Sequence, residues 1–519
     1  MGYYSSREVT DRFSKLAAAV GLTIGTAAAI FYGHQGLTLS HYDAKAHLVV
    51  ARRVLDSLTP EYSQIGAVWL PLPHLLNLLP VQVDAFYRTG SSAVAISVLS
   101  FALACYSIAY LVLAVTSSRV AAAIAVAMFA LDPNVLYLQS TPMTEPLLFG
   151  LVLFSVVLVH DLVEKRFRNP FSPVPGESGS RNRFFGRART LAGWTLVASC
   201  LTRYEAWPVT VALLALFAVA LWRRGLAPAA ALRDAAELGM FPFLAIVAFF
   251  FHSWFTTGAW FVTGGFYVPD NVATGNLYRA FMAVVYGMRE LIGRPLVFIA
   301  LGGVVWVLVR GLARGEHAAS LVVLALTGLM TLPTYAFFEG HPFRMRYMVA
   351  PTVGAAVFVG IAIGLLKGWM RHAATVALAL WLAVHARPLD ARAPMVQEAQ
   401  WDVPFSVGRK HVTACLMREY HGEPILASMG SLAHYMQELS QEGINIRDFI
   451  HEGNLPYWQE AIESPSGRVK WILVEERAEG GDMLATRVRE SSAFTTGFTR
   501  VCADGGVALY RAVKLESKN

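Results

Sequence analysis

Apolar blocks of near-membrane length recur through the first 390 residues of this 519-residue chain, and that pattern decides what it can fold into. AAAIAVAMFAL at 121–131, LLFGLVLFSVVLV at 147–159 and LAIVAFFFHSWF at 244–255 are three of them. A helix that crosses a bilayer needs roughly 20 mostly apolar residues, because inside lipid each backbone amide must find its partner within the helix. Only 15% of the residues are charged, against about 25% in soluble domains. The reading is a polytopic all-α membrane protein with eleven spans. They fall near 16–33, 91–115, 119–138, 144–163, 190–203, 207–222, 236–256, 291–309, 318–337, 346–366 and 372–386.

The net charge of +7 invites comparison with nucleic-acid binders, but the Lys and Arg residues sit in short loops between apolar blocks. Arg7, Arg12 and Lys15 precede the first block, and seven basic residues from Lys165 to Arg189 separate the fourth from the fifth. Arg223, Arg224, Arg233, Arg310, Arg314, Lys367 and Arg371 mark later loops of the same side. Cytoplasmic loops carry this excess, so the amino terminus is expected inside and an odd span count sends the carboxyl terminus outside. No nucleic-acid partner is expected. The first block lacks a small-residue cleavage site and reads as a retained helix. NPFSPVPGESGSRN, at 169–182, reads as a flexible cytoplasmic loop.

The opposite side has a long first loop, 34–90, rich in His, Asp, Pro and Trp, and another loop near 257–290. HYDAKAHLVVARRVLDSL, at 41–58, reads as an amphipathic helix along the interface. From about residue 390 the composition turns to mixed polar and apolar. EPILAS, VKWILVE and FTRVCADGGVALYRAV read as strands, SLAHYMQELSQEG and LPYWQEAIE as helices. The division is therefore a membrane module, 1–389, and a soluble extracytoplasmic α/β domain, 390–519. Cys105 and Cys200 read as buried apolar residues; pairing of Cys415 with Cys502 in the tail is left open.

Ionisable residues near a bilayer are costly and usually mark function. Here they gather at one end of the spans. Asp43 and His47 lie in the first loop, Asp132 and Glu145 flank the turn between spans three and four, and Arg203 and Glu205 sit in LTRYEAW. His252 ends span seven, and Glu339, His341, Arg344 and Arg346 fill FEGHPFRMRYM before span ten. Outside a bacterial inner membrane no nucleotide sugars are supplied, so a group transfer there needs a donor on a membrane-borne carrier. A sugar on polyprenyl phosphate meets that need. Its phosphodiester suits paired bonds from Arg, and an acceptor hydroxyl suits a carboxylate base.

The first-loop acid in HYDAKAH, the run GAVWLPLPHLL, the turn TPMTEPLLF, LTRYEAW and HPFRMRYMVAP, in this order, resemble the GT-C membrane glycosyltransferases. The bacterial members similar to protein O-mannosyltransferases and the lipid A aminoarabinose transferase are nearest in pattern. The resemblance implies an inverting transfer from a polyprenyl-phosphate sugar to a glycan, lipid or protein hydroxyl. It maps the catalytic acids onto Asp43 and Glu145, and a late-loop Arg with its following Tyr onto Arg346 and Tyr347. Arg203, Glu205, His341 and Arg344 join these as candidates for donor phosphate and substrate. Glu stands at 145 where many members have Asp, and Ala44 follows Asp43 where many have a second acid.

Each residue also has a plain reading. Asp43 opens a helix, and Asp132 before Pro133 starts a turn. Glu145 suits the dipole of span four. Arg203 and Glu205 pair with each other, and Arg344 and Arg346 meet lipid headgroups. Asp43 and His47, four apart on one helical face, offer ligands to a divalent metal ion together with His34, His41 or His74; solvation at the interface is the commoner fate. Among functions, transport of a carrier lipid or glycolipid is the alternative, disfavoured because polar groups crowd one edge rather than the midplane. The tail, with His421, His434 and His451 scattered, is assigned acceptor docking or lid support.

Overall fold

A computed structural model describes residues 2–167, 178–262, 271–478, 480–491 and 493–513. The chain opens with α1 (Gly2–His34) and enters the first loop through α2 (Tyr42–Arg52), α3 (Leu72–Asn77) and α4 (Asp84–Thr89). The helical body follows as α5 (Ser91–Thr116), α6 (Arg119–Ala130), α7 (Pro133–Leu138), α8 (Glu145–Phe167), α9 (Ser178–Cys200), α10 (Ala206–Arg223) and α11 (Pro228–Thr257). It continues as α12 (Leu277–Ile292), α13 (Arg294–Ala313), a 3-10 helix (Gly315–Met330) running into α14 (Thr331–Phe338), α15 (Arg346–Leu365) and α16 (Trp369–His385).

Among the described residues eight segments are long and apolar enough to cross a membrane: Thr10–His34 of α1, α5, α8, α10, α11, α13, Gly315–Phe338 and α15. Their sites coincide with eight of the eleven expected spans. The other three differ for local reasons. The stretch 119–138 is broken at Asp132-Pro133, where proline cannot continue a helix and Asp132 caps the next one through Asn134 and Val135. The stretch 190–203 is the second half of α9, and α16 is only 17 residues long. Of the expected loop 169–182, residues 169–177 lie outside the described part, and Ser178–Asn182 already belong to α9.

The spans pack through small residues, as helices do where lipid removes the hydrophobic drive between them. A Cβ on Gly150 of α8 would stand 2.6 Å from the Ser100 carbonyl oxygen of α5. α15 is the central helix, packed against α5, α6 and α13. Outward side chains on α11 and α13, such as Phe243, Leu244, Phe298 and Leu301, are apolar and exposed, as a hydrocarbon solvent requires.

After α17 (Pro394–Glu398) and α18 (Val403–Met417) come β1 (Ile425–Ala427), α19 (Met429–Leu439), β2 (Phe449–Ile450), α20 (Tyr457–Glu463), β3 (Trp471–Glu475), α21 (Met483–Glu490), β4 (Phe498–Asp504) and β5 (Val507–Ala512). The sheet order is β2-β1-β3-β5-β4, parallel from β2 to β3 and antiparallel beyond. Cys415 of α18 and Cys502 of β4 form a disulfide with a Cα separation of 6.4 Å.

Two expectations change. The segment 41–58 is not a surface helix with one wet face: α2 is buried at ten of its eleven residues, packed against α3 and α19, and only Leu55 and Leu58 beyond its end are apolar and exposed. Its Leu48, Val49 and Ala51 share an apolar core with Leu432, Tyr435 and Met436 of α19. The apolar surface of the first loop includes Leu55, Leu58, Val68, Leu75, Leu76, Leu79, Val83 and Phe86. The loop near 257–290 contains a helix, α12, which buries Ala280, Val284 and Met288 and exposes Tyr278, Phe281 and Tyr286.

Candidate active site

α2 begins where His41 Nδ1 accepts the Asp43 amide at 3.1 Å, which leaves Asp43 in the first turn. There a carboxylate meets the positive end of the helix. The Asp43 carboxylate accepts a hydrogen bond from Arg346 Nη1, the first residue of α15. Burial alone would raise the Asp43 carboxyl; Arg346, followed by His41 and His47, outweighs it and holds the group well below the usual carboxylate range. Arg346 also lies over the Tyr347 ring, 5.1 Å from its centroid, and its Nη2 reaches Tyr347 Oη at 3.3 Å. Tyr347 Oη is 3.4 Å from His341 Nε2, so the late-loop candidates form one chain.

A second pair lies beside the first. Arg203, in the turn between α9 and α10, contacts Glu205 Oε1 through Nη2 at 2.8 Å and through Nε at 3.1 Å. Its Nη1 bonds Thr144 Oγ1 at 2.9 Å and stands 3.1 Å from Glu145 Oε1. The contact with Glu145 is an ion pair without hydrogen-bond alignment. Both Glu145 oxygens are buried and accept no hydrogen bond from the described residues. A buried acceptor left in that condition is expensive, and a hydroxyl-bearing ligand would relieve it.

The two pairs share one electrostatic site. Glu145 acts on Arg346, Arg346 acts on Arg203, and His47 feels Asp43, Arg203 and Arg346. His47 stands one turn after Asp43, and its Nδ1 is 3.1 Å from His74 Nε2. Burial, aided by His74, Arg203 and Arg346 against the pull of Asp43, pushes His47 well down, and burial with Arg53 pushes His74 down to about 3, so both rings are neutral. Next to them a cavity is lined by His47, His74, Asn77, Ser97, Thr144 and Leu147.

Of the residues expected from sequence, Asp43, Glu145, Arg203, Glu205, Arg346, Tyr347, His341 and His47 come together here. Arg344 is near enough for its charge to reach His41 and Tyr42. Asp132 is a helix cap, and His252 bonds the Gly66 carbonyl at 2.9 Å. For a metal ion, His47 Nδ1 and His74 Nε2 are the nitrogens close enough to share one, but Asp43, expected beside His47 as a ligand, is turned to Arg346. The group of at least three such ligands found among the described residues, His411, Cys415 and Cys502, contains the disulfide. Sequence reasoning missed Glu398. From α17 its carboxylate accepts the Met345 amide at 2.6 Å and the Arg346 amide at 3.5 Å, capping α15 beneath the guanidinium. No local signal points to it, because it lies 52 positions from Arg346.

The eight long apolar helices, the site at one end of the bundle and the small tail sheet define a multi-pass membrane fold. Among solved structures, ArnT from Cupriavidus metallidurans bound to undecaprenyl phosphate is similar at a TM-score of 0.53 and 12% identity, covering 96% of this chain and 98% of that one. The Archaeoglobus fulgidus oligosaccharyltransferase, tethered to an acceptor peptide containing the NVT sequon, gives a TM-score of 0.44 at 11% identity, covering 96% and 75%. No protein-family model and no curated protein matches the sequence. At such identity the likeness is one of fold.

Proposed function

We propose that the chain is a glycosyltransferase that moves a sugar from a polyprenyl-phosphate donor to an acceptor hydroxyl, with inversion, at the extracytoplasmic face of a bacterial inner membrane. In this reading residues 1–389 form the membrane module, the amino terminus is cytoplasmic and the tail domain is outside. One observation carries it: two carboxylate–guanidinium pairs, Asp43–Arg346 and Glu145–Arg203, share a site at one end of the helical body. Four different parts of the chain supply them.

The chemistry follows from the geometry. The donor phosphate competes with Asp43 for Arg346 and takes further bonds from Arg203. Asp43, released from Arg346, regains basicity and accepts the acceptor's proton as its oxygen attacks the anomeric carbon. The bond from that carbon to the phosphate oxygen breaks on the opposite side, and polyprenyl phosphate leaves with the bonding electrons, its added charge held by Arg346 and Arg203. Glu145, short of hydrogen-bond donors, takes a sugar or acceptor hydroxyl. Binding the donor thereby switches on the base. The ArnT structure was solved with undecaprenyl phosphate, which supports a carrier of that kind.

The test uses membranes from cells with and without the gene, given labelled polyprenyl-phosphate sugars, with Asp43→Asn beside the parent. Label entering envelope material only with the parent is the expected result; equal transfer by both removes Asp43 from the base role. Carrier-lipid flipping remains the competing reading, because a second polar cavity at the far ends of α8 and α13 includes Glu164, Arg310, Glu316 and His317. Between the two ends α8 buries Leu148, Val152, Val156 and Val159, and its one buried polar side chain there, Ser155, is taken up by Leu151 and Ser199. Lipid-linked sugar crossing liposomes that hold only this protein would favour flipping.

A further inference from the structure

α2 has two faces, and only one serves the cavity. Asp43 and His47 look toward Arg346 and His74. The other side is held by the carboxyl-terminal part of the chain. The Tyr42 ring meets Trp401 edge-on at 5.4 Å and His434 at 6.2 Å. Lys45 Nζ donates to Glu438 Oε1 at 2.5 Å. Glu438 also accepts from Arg409, at 2.9 Å from Nε and 2.7 Å from Nη2, and Arg409 bonds both oxygens of Asp402, at 3.0 and 2.6 Å. Two turns further on, Arg52 Nη2 reaches Asn445 Oδ1 at 3.3 Å.

Arg346 is held from the same part of the chain. Glu398 caps the amides of Met345 and Arg346. Each member of the Asp43–Arg346 pair therefore has its backbone neighbourhood tied to a carboxylate that follows the last membrane helix in sequence: Glu438 holds Lys45, two residues after Asp43 on α2, and Glu398 caps Arg346. Arg409 is only 1% exposed, and its cluster of two cations and two anions is buried at small net gain in stability. What such a cluster does well is fix geometry, because a guanidinium fork orients a carboxylate in two bonds.

We propose that Glu398 and Glu438, with Arg409 behind Glu438, are positioning residues for transfer, setting the spacing of Asp43 against Arg346 so that an incoming phosphate can part them without moving α2. The inference rests on the function proposed above. It assigns the tail a part in the chemical step as well as any acceptor docking. The groups facing Asp43 are Arg346 from α15, Tyr42 and His47 from α2, and His41 just before it, so a shift of spacing reads out in the titration of Asp43.

The test uses the full chain in proteoliposomes with undecaprenyl phosphates carrying tritiated mannose, glucose or galactose, and envelope extract as acceptor. Glu438→Gln and Glu398→Gln are each expected to lower kcat about tenfold, since small misplacements of reacting groups cost that much or more. KM for the donor stays within about twofold, and the acid limb of kcat/KM moves to higher pH as Asp43 loses its close guanidinium. Lys45→Arg, which keeps the charge, retains most of the rate. A loss of rate that only follows the amount of folded protein, with the acid limb in place, overturns the proposal. Should the parent transfer none of these sugars, the assigned function fails on that donor panel, and amide exchange decides the positioning separately. Faster exchange at 43–52 in Glu438→Gln and at 346–350 in Glu398→Gln supports it, and exchange equal to the parent sinks it.

Discussion

Asp43 and Arg346 stand 303 positions apart in the chain and meet as a buried ion pair. In this resting arrangement the proposed base and the proposed phosphate ligand would silence each other. Asp43→Asn keeps the shape and loses the proton acceptor, so transfer is expected to fall about 100-fold or more, while the donor still binds. Rates and donor affinity measured on the same preparation separate the two effects.

Arg203 bridges two buried acids, Glu145 and Glu205. Arg203→Ala leaves two like charges facing each other without a cation, and removing one partner of a buried pair costs about 3–5 kcal/mol. Thermal unfolding in detergent should show the loss. Adding Glu145→Gln to that variant should recover part of it, because the repulsion goes. No recovery would show that Glu145 and Glu205 do not interact through Arg203.

The tail domain carries a pH dependence of its own. Burial pushes the Glu475 carboxyl up to about 8, opposed by Arg409 and reinforced by Asp482, Asp402 and Glu438. Between the ordinary value of 4.5 and about 8 the folded state keeps a proton that the unfolded chain releases. Stability is therefore greatest below that window and falls as pH rises through it. Unfolding temperatures from pH 5 to 8.5 should decline for the parent, and Glu475→Gln should flatten the curve.

The Cys415–Cys502 disulfide closes a loop across 87 positions and joins the Arg409-bearing α18 to the sheet. A cross-link of that span restricts the unfolded chain, and its removal typically costs about 2–5 kcal/mol. The Cys415→Ser, Cys502→Ser double variant should unfold at lower temperature and resemble the parent treated with reductant. Equal melting of all three samples would contradict this.

The membrane class was legible because apolar length is written directly into α5, α8, α11, α13 and α15. The gathering of Asp43, Glu145, Arg203 and Arg346 was legible for a related reason: ionisable residues at the ends of apolar spans have few places to go. The surroundings of α2 were not. Lys45, Arg52 and Arg53 make 41–58 look like a helix lying on a wet surface, yet the Lys45 and Arg52 charges are matched by Glu438, Asp56 and Asp84. Lys45 and Glu438 are 393 positions apart, and period or propensity carries no trace of such a meeting. β2, two residues long, offers no alternation to read.

Enclosure of α2 also has a consequence for how the protein comes into being. The helix that bears Asp43 emerges early in synthesis, but the residues that cover it, from Trp401 to Asn445, are made more than 300 positions later. A nascent chain can thread its first spans into lipid and still leave Asp43 uncovered until that later stretch arrives. On the proposed function, half-made copies would in this way leave the donor untouched.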